Sequence, residues 1–268
     1  GGGCMANISH ALGRLALREP QGLLVAWQRC GLPGWRASGR LARREFGSAP
    51  AQQGGKASSW PTETQLERNR RLSVANTVEE VLQIVGAESG QMDRVNVATA
   101  VNRLGRAVSR WPMRELQNLV NDGRLLLLCS WAEQASAKMR AREVSNTLLG
   151  FAKLARCPGL REVVPWTALG QAVAREGPRL SAQHVATVWW AYSELGSLPD
   201  RAVLQALERA AFREVDEFAA QHVAMTLRAC AALSSRPHPV LLGSLEQAAV
   251  RDSERFSEHG FGSLFSAY

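Results

Sequence analysis

The sequence predicts an all-α protein, an α-solenoid of stacked helical hairpins with repeats of about 38 residues. Three observations carry that prediction. The stretch LSAQHVATVWWAYSELGSLPDRAVLQALERAAFREVDE, Leu180 to Glu217, is stated again from Phe218 as FAAQHVAMTLRACAALSSRPHPVLLGSLEQAAVRDSER and begins a third time at Phe256 with FSEHGFGSLFSAY, both steps being 38 residues. Within each copy the apolar residues fall at helical spacing, and between the two helical halves stand turn residues, Gly196 and Pro199 in one copy and Ser234, Ser235 and Pro237 in the next. A single hairpin of this kind cannot cover its own apolar face, so it must stack on its neighbours.

Taken in order, the chain opens with a segment of a different class. The first sixty residues hold eight basic side chains (Arg14, Arg18, Arg29, Arg36, Arg40, Arg43, Arg44, Lys56) against two acids, Glu19 and Glu45, and so carry six of the eight net positive charges. Ile8, Leu12 and Leu15 lie on one helical face, Arg14 and Arg18 on another. Arg-rich, acid-poor and amphipathic, residues 1–46 read as an organellar transit peptide, and Arg44-Glu45-Phe46 resembles the Arg-x-Phe cleavage sites of mitochondrial presequences. A basic arm binding nucleic acid or an acidic surface is the other reading of the same charge. The expected destination is mitochondrial, with a plastid as the alternative. Residues 47–71 read as a flexible linker, with Ser48, Pro50, Gly54, Gly55, Ser58, Ser59 and Pro61.

Residues 72–268 are then the repeat domain, nearly neutral once the leader is set aside. A step of 50 places Val97, Ala98, Val101 and Leu104 in the core register, and a step of 41 places Val144, Thr147, Leu148, Phe151 and Leu154. The strong copies fill it with Val185, Val188, Trp189, Tyr192 and Leu195, then with Val223, Thr226, Leu227, Cys230 and Leu233. Their second helices carry Val203, Leu204, Leu207, Ala210 and Ala211, matched by Leu241, Leu242, Leu245, Ala248 and Ala249. A column of small residues, Ala100, Gly150, Ala191, Ala229 and Ala267, marks a close approach of helices. The repeat that begins at Phe256 stops at Tyr268 with its apolar face uncovered, so a domain truncated at its C-terminus is expected.

The residues offer little for catalysis. The five cysteines, Cys4, Cys30, Cys129, Cys157 and Cys230, have no metal-ligand spacing, and His184 and His222 recur because the repeat recurs, as polar partners near a helix start. No metal site, cofactor or enzyme activity is expected, and no stretch reaches the roughly 20 apolar residues of a membrane span.

The informative positions lie opposite the core stripe, at i, i+4, i+7 and i+11 of each first helix. They read Arg142, Asn146, Leu149 and Lys153; then Gln183, Thr187, Trp190 and Glu194; then Gln221, Met225, Arg228 and Ala232; with Met92, Asn96, Thr99 and Arg103 in the weak first copy. Such a surface can hydrogen-bond base edges, stack on unpaired bases and hold phosphates. Arg142, Asn146, Lys153, Gln183, Thr187, Trp190, Gln221 and Arg228 are the candidate RNA-binding residues.

Val144-Ser-Asn-Thr-Leu-Leu-Gly-Phe-Ala-Lys-Leu154 and Val185-Ala-Thr-Val-Trp-Trp-Ala-Tyr-Ser-Glu-Leu195, at this period, resemble the octotricopeptide-type repeats of organellar proteins, and Asn96-Val-Ala-Thr-Ala-Val-Asn-Arg-Leu104 is similar to an opening helix of the same group. That group includes proteins with a RAP domain, FAST-kinase-like regulators and components of the mitochondrial RNA-editing substrate-binding complex. The Pro-Pro-Pro-Glu-Tyr-Trp-like element of its green-algal members is absent. The resemblance implies an α-solenoid that binds single-stranded organellar RNA and supports its processing, stability, editing or translation. The alternative is a protein-binding scaffold or structural subunit of a mitochondrial ribosome or RNA-processing complex.

Overall fold

The computed structural model describes residues 62–87, 92–156, 159–234 and 239–252. The expected leader, most of the expected linker and the copy beginning at Phe256 lie outside the described residues. Those described are helical throughout their regular structure, with no strand among them.

Among the described residues twelve α-helices follow one another: α1 (Glu63–Val74), α2 (Val78–Ala87), α3 (Arg94–Ala107), α4 (Met113–Val120), α5 (Gly123–Ser136), α6 (Ala141–Leu154), α7 (Leu160–Val163), α8 (Trp166–Glu176), α9 (Ala182–Leu195), α10 (Arg201–Glu214), α11 (Ala220–Ala232) and α12 (Pro239–Arg251). Local sequence sets their starts. Thr62, Asp93, Asp122, Ser181 and Asp200 each accept a hydrogen bond from a backbone N–H of the first turn, satisfying a donor that the helix itself leaves open.

The helices pack in two rows. In the first, α1 lies on α3, α3 on α6, α6 on α9 and α9 on α11; in the second, α2 lies on α5, α5 on α8, α8 on α10 and α10 on α12. Within the first row neighbours run the same way. Arg94 and Glu143, at the starts of α3 and α6, are 3.5 Å apart, and toward the helix ends Glu194 of α9 stands 3.8 Å from Arg228 of α11.

The core stripes face inward as the periodicity requires. Val144, Thr147, Leu148, Phe151 and Leu154 are fully buried, as are Val185, Val188 and Trp189, and Leu227 is 4% exposed. In the second row Val203, Leu207, Ala210 and Ala211 are buried with Leu204 half-buried, and the copy 38 residues on repeats that pattern at Leu241, Leu245, Ala248, Ala249 and Leu242. Burial therefore recurs at equivalent positions 38 residues apart.

Two expectations need correction. The linker expected over 47–71 gives way to α1 from Glu63, because Thr62 and Gln65 form a reciprocal capping box and Leu72 and Arg68 are buried on the first row. The step of 50 between the first two copies is also wrong. The N-caps Asp93, Arg140, Ser181 and Ala219 and the buried anchors before them, Met92, Met139, Leu180 and Phe218, set steps of 47, 41 and 38. The longer first step holds the extra helix α4, and the intermediate one holds the single turn α7.

A repeated arginine ties successive units together. From the end of α8, Arg175 donates to the carbonyls of Ser136 and Met139 at 3.0 and 2.6 Å; from α10, Arg213 donates to Gly177 and Leu180; from α12, Arg251 donates to Phe218 at 2.9 Å. Each reaches back to the turn that precedes a first-row helix. The acid that follows each arginine, Glu176, Glu214 or Asp252, pairs with its guanidinium.

Candidate nucleic-acid interface

The eight residues singled out from the sequence fall on the outward side of α6, α9 and α11, three successive helices of the first row. Arg142, Gln183, Gln221 and Arg228 are exposed; Asn146, Lys153, Thr187 and Trp190 are half-buried. Trp190 leans on the core, so only part of its ring is open. All eight share one side of the row.

On α3 the face differs from the sequence reading. Met92 and Asn96 are 5% and 1% exposed: Met92 is the buried anchor ahead of α3, and α1 covers Asn96, whose amide donates to the Gln65 carbonyl at 3.0 Å and whose oxygen accepts from Arg68. With the step of 47 fixed by the caps, the positions equivalent to Arg142, Asn146, Leu149 and Lys153 are Val95, Thr99, Asn102 and Arg106. These are exposed or half-buried. Asn102 and Arg106 were missed because the wrong step put Thr99 and Arg103 in their places; the Asp93 cap signal ahead of α3 was the clue that finds them.

Across the face, equivalent positions now line up. One line reads Thr99, Asn146, Thr187, Met225; the next reads Asn102, Leu149, Trp190, Arg228; the last reads Arg106, Lys153, Glu194, Ala232. Charge is distributed unevenly along it. On the α9–α11 half, Glu194 pairs with Arg228, so that half is close to neutral. Among the described residues, Arg106, Arg142 and Lys153 of α3 and α6 have no carboxylate partner within ion-pair distance. Burial, and after it the nearby Arg106, push the Lys153 ammonium below the ordinary lysine value.

His184 and His222 occupy the third position of α9 and α11, where Glu143 stands in α6. The Ser181 N–H donates to His184 Nδ1 at 3.2 Å and the Ala219 N–H to His222 Nδ1 at 3.3 Å, just as the Arg140 N–H donates to the Glu143 carboxylate at 2.8 Å. A ring nitrogen that accepts from an amide is unprotonated there. Burial lowers both imidazole pKa values, and for His184 the Arg142 charge adds to it. These rings close helix starts.

No protein-family model matches the chain, and no curated protein matches it in sequence. The functional reading therefore stands on the residues and their arrangement.

The two described cysteines are equally committed to structure. Cys129 and Cys230 are buried free thiols, each pushed up to about 12 by burial, which removes the thiolate needed for nucleophilic or metal chemistry. No helix among the described residues is long and apolar enough to cross a membrane.

Proposed function

We propose that the chain is an α-solenoid of the octotricopeptide-like kind, acting as an organellar RNA-binding adaptor without catalysis of its own, and that single-stranded RNA lies along the outward face of α3, α6, α9 and α11. The observation that carries this reading is the alignment of side chains on that face. Asn102, Asn146 and Thr187 offer hydrogen bonds to base edges, Trp190 offers part of a ring to stack on, and the unpaired Arg106, Arg142 and Lys153 offer charge to phosphates. Two arrangements of the same sequence support the destination: the Arg-rich leader and the Arg-x-Phe motif favour a mitochondrial location over a plastid one.

The test is fluorescence anisotropy with a labelled single-stranded RNA at low salt, comparing the wild-type chain with Arg142→Ala, Trp190→Ala and Arg228→Ala together. Binding that weakens by about tenfold or more, as loss of a stacking ring, of the unpaired Arg142 charge and of the Arg228 partner that neutralises Glu194 entails, supports the reading. Unchanged affinity removes it.

A second reading rests on a specific feature of the same face. Leu149, Trp190 and Met225 stand at its middle on three successive helices, half-buried, and together with the neutral Glu194–Arg228 pair they suit a protein partner. Retention of a ribosomal or RNA-processing subunit after nuclease treatment, lost on Leu149→Asp, would favour that scaffold over RNA.

A further inference from the structure

We propose that Arg106 and Lys153 together seat one phosphate group at the edge of the first row, where α3 and α6 end side by side. The inference rests on the RNA-binding reading for the source of that phosphate, but not for the existence of the seat.

The position follows from the backbone. At the crossing of α3 and α6 both helices carry glycine, and a Cβ built on Gly105 would lie 2.6 Å from the Gly150 carbonyl oxygen and 2.8 Å from its Cα. The helices thus touch main chain to main chain. Arg106 is the next residue along α3, and Lys153 stands one turn beyond Gly150 on α6, at the equivalent place of the neighbouring unit. Two long cationic side chains therefore leave adjacent backbones from adjacent last turns.

Nothing among the described residues neutralises them. Neither is in an ion pair, and the only charge near enough to Lys153 to shift its titration is Arg106, another cation. The two helix ends supply some compensation, because their free carbonyls are equivalent to roughly half a negative charge each. That offsets about half of two full positive charges and leaves a net positive site. Lys153 is also half-buried, so its charge is poorly screened by water. A tetrahedral dianion or a phosphodiester supplies oxygens for both the guanidinium fork and the ammonium point charge.

The other units lack the pair. At the same position α9 has Glu194 and α11 has Ala232, so the seat occurs once along the described row and would fix where one phosphate of a bound strand sits.

The experiment uses the full chain and two readouts. The first is acetylation of Lys153, followed by mass spectrometry, with no addition, with inorganic phosphate, and with single-stranded oligouridylate. The second is the salt dependence of oligouridylate binding for the wild type, Arg106→Met/Lys153→Met, Lys153→Arg and a control, Arg209→Ala, on the second row. Thermal melts establish that each variant is folded. The proposal expects protection of Lys153 and, for the double variant, a slope against log salt shallower by about 0.7, the loss of one phosphate contact on a single strand. Lys153→Arg and Arg209→Ala keep the wild-type slope. Protection by inorganic phosphate as well as by RNA marks a seat for any phosphate; protection by RNA alone marks a phosphodiester seat.

Lys153 left unprotected by both ligands, with an unchanged slope in the folded double variant, overturns the proposal. RNA binding lost in the Arg142, Trp190 and Arg228 variant but retained with wild-type slope in the double variant overturns the seat alone. Phosphate protection of Lys153 in a chain that binds no RNA supports the seat and removes the RNA reading.

Discussion

Gly105 and Gly150 meet where α3 crosses α6, so closely that neither α-carbon has room for a methyl group. A Cβ on Gly150 would run into the Val101 carbonyl, which is backbone and cannot swing aside. Replacing Gly150 by Ala gains about 1 kcal/mol in helix propensity, but forcing two packed backbones apart costs about 1–3 kcal/mol. The neighbour here is main chain, which puts the cost at the upper end and makes the net effect a loss. Urea unfolding of Gly150→Ala should show a midpoint below the wild type. Alanine already stands at the matching positions of α9 and α11, Ala191 and Ala229, so the restriction belongs to this one crossing.

Arg213 holds the turn between α8 and α9 from the end of α10. Its side chain is 40% exposed, so its two carbonyl bonds are worth less than fully buried charged hydrogen bonds. Arg213→Met should lower stability by about 1–2 kcal/mol. Hydrogen exchange would show faster opening of the Gly177–Arg179 turn and of the first turn of α9, while α3 keeps its protection.

Ser234 carries a backbone φ of 50°, the left-handed conformation that Gly196 adopts with φ of 62° in the preceding copy. The two positions are 38 residues apart. A residue with a Cβ pays roughly 1–2 kcal/mol to sit there, and glycine does not. Ser234→Gly should raise the midpoint of thermal unfolding, and Gly196→Ala should lower it.

The two histidine caps make stability depend on pH. Their folded-state pKa values are depressed below the ordinary 6.5, so the unfolded chain takes up protons before the folded chain does. Their contribution is fully present above 6.5, is lost as pH falls through the window down to the depressed values, and levels off beneath them. Arg142 opposes protonation of His184, while Glu143 and Glu214 favour it. His184→Gln/His222→Gln should have a shallower fall of melting temperature between pH 7.5 and pH 5 than the wild type; carboxylates titrating lower down are common to both.

Much of the row structure was legible in the sequence, because burying an apolar stripe at helical spacing has few solutions and the copy at 38 residues repeats that stripe position by position. Trp189 and Leu227 were placed in the core on that argument, and they are there. What the stripe could not fix was register across an insertion. Between α3 and α6 an apolar pattern slid by three residues still looks helical, and only the cap at Asp93 distinguishes a step of 47 from one of 50. The same weakness hid α1, whose first two turns are so polar that Glu63 to Arg71 reads as linker until Leu72 supplies its anchor. The arginines at 175, 213 and 251 were visible as a column at the same period, each followed by an acid, but a polar column has no apolar pattern to announce it. The charge pairing of Glu194 with Arg228 was beyond sequence alone, since it depends on which helices are neighbours.

The most direct measurement is ultraviolet cross-linking of the full chain to uniformly labelled single-stranded RNA, with the linked peptides mapped by mass spectrometry. Cross-links concentrated in the peptides of α3, α6, α9 and α11, with Trp190 among them, are the predicted result. Cross-links confined to α5, α8 and α10, or none above a protein control of equal charge, would contradict it.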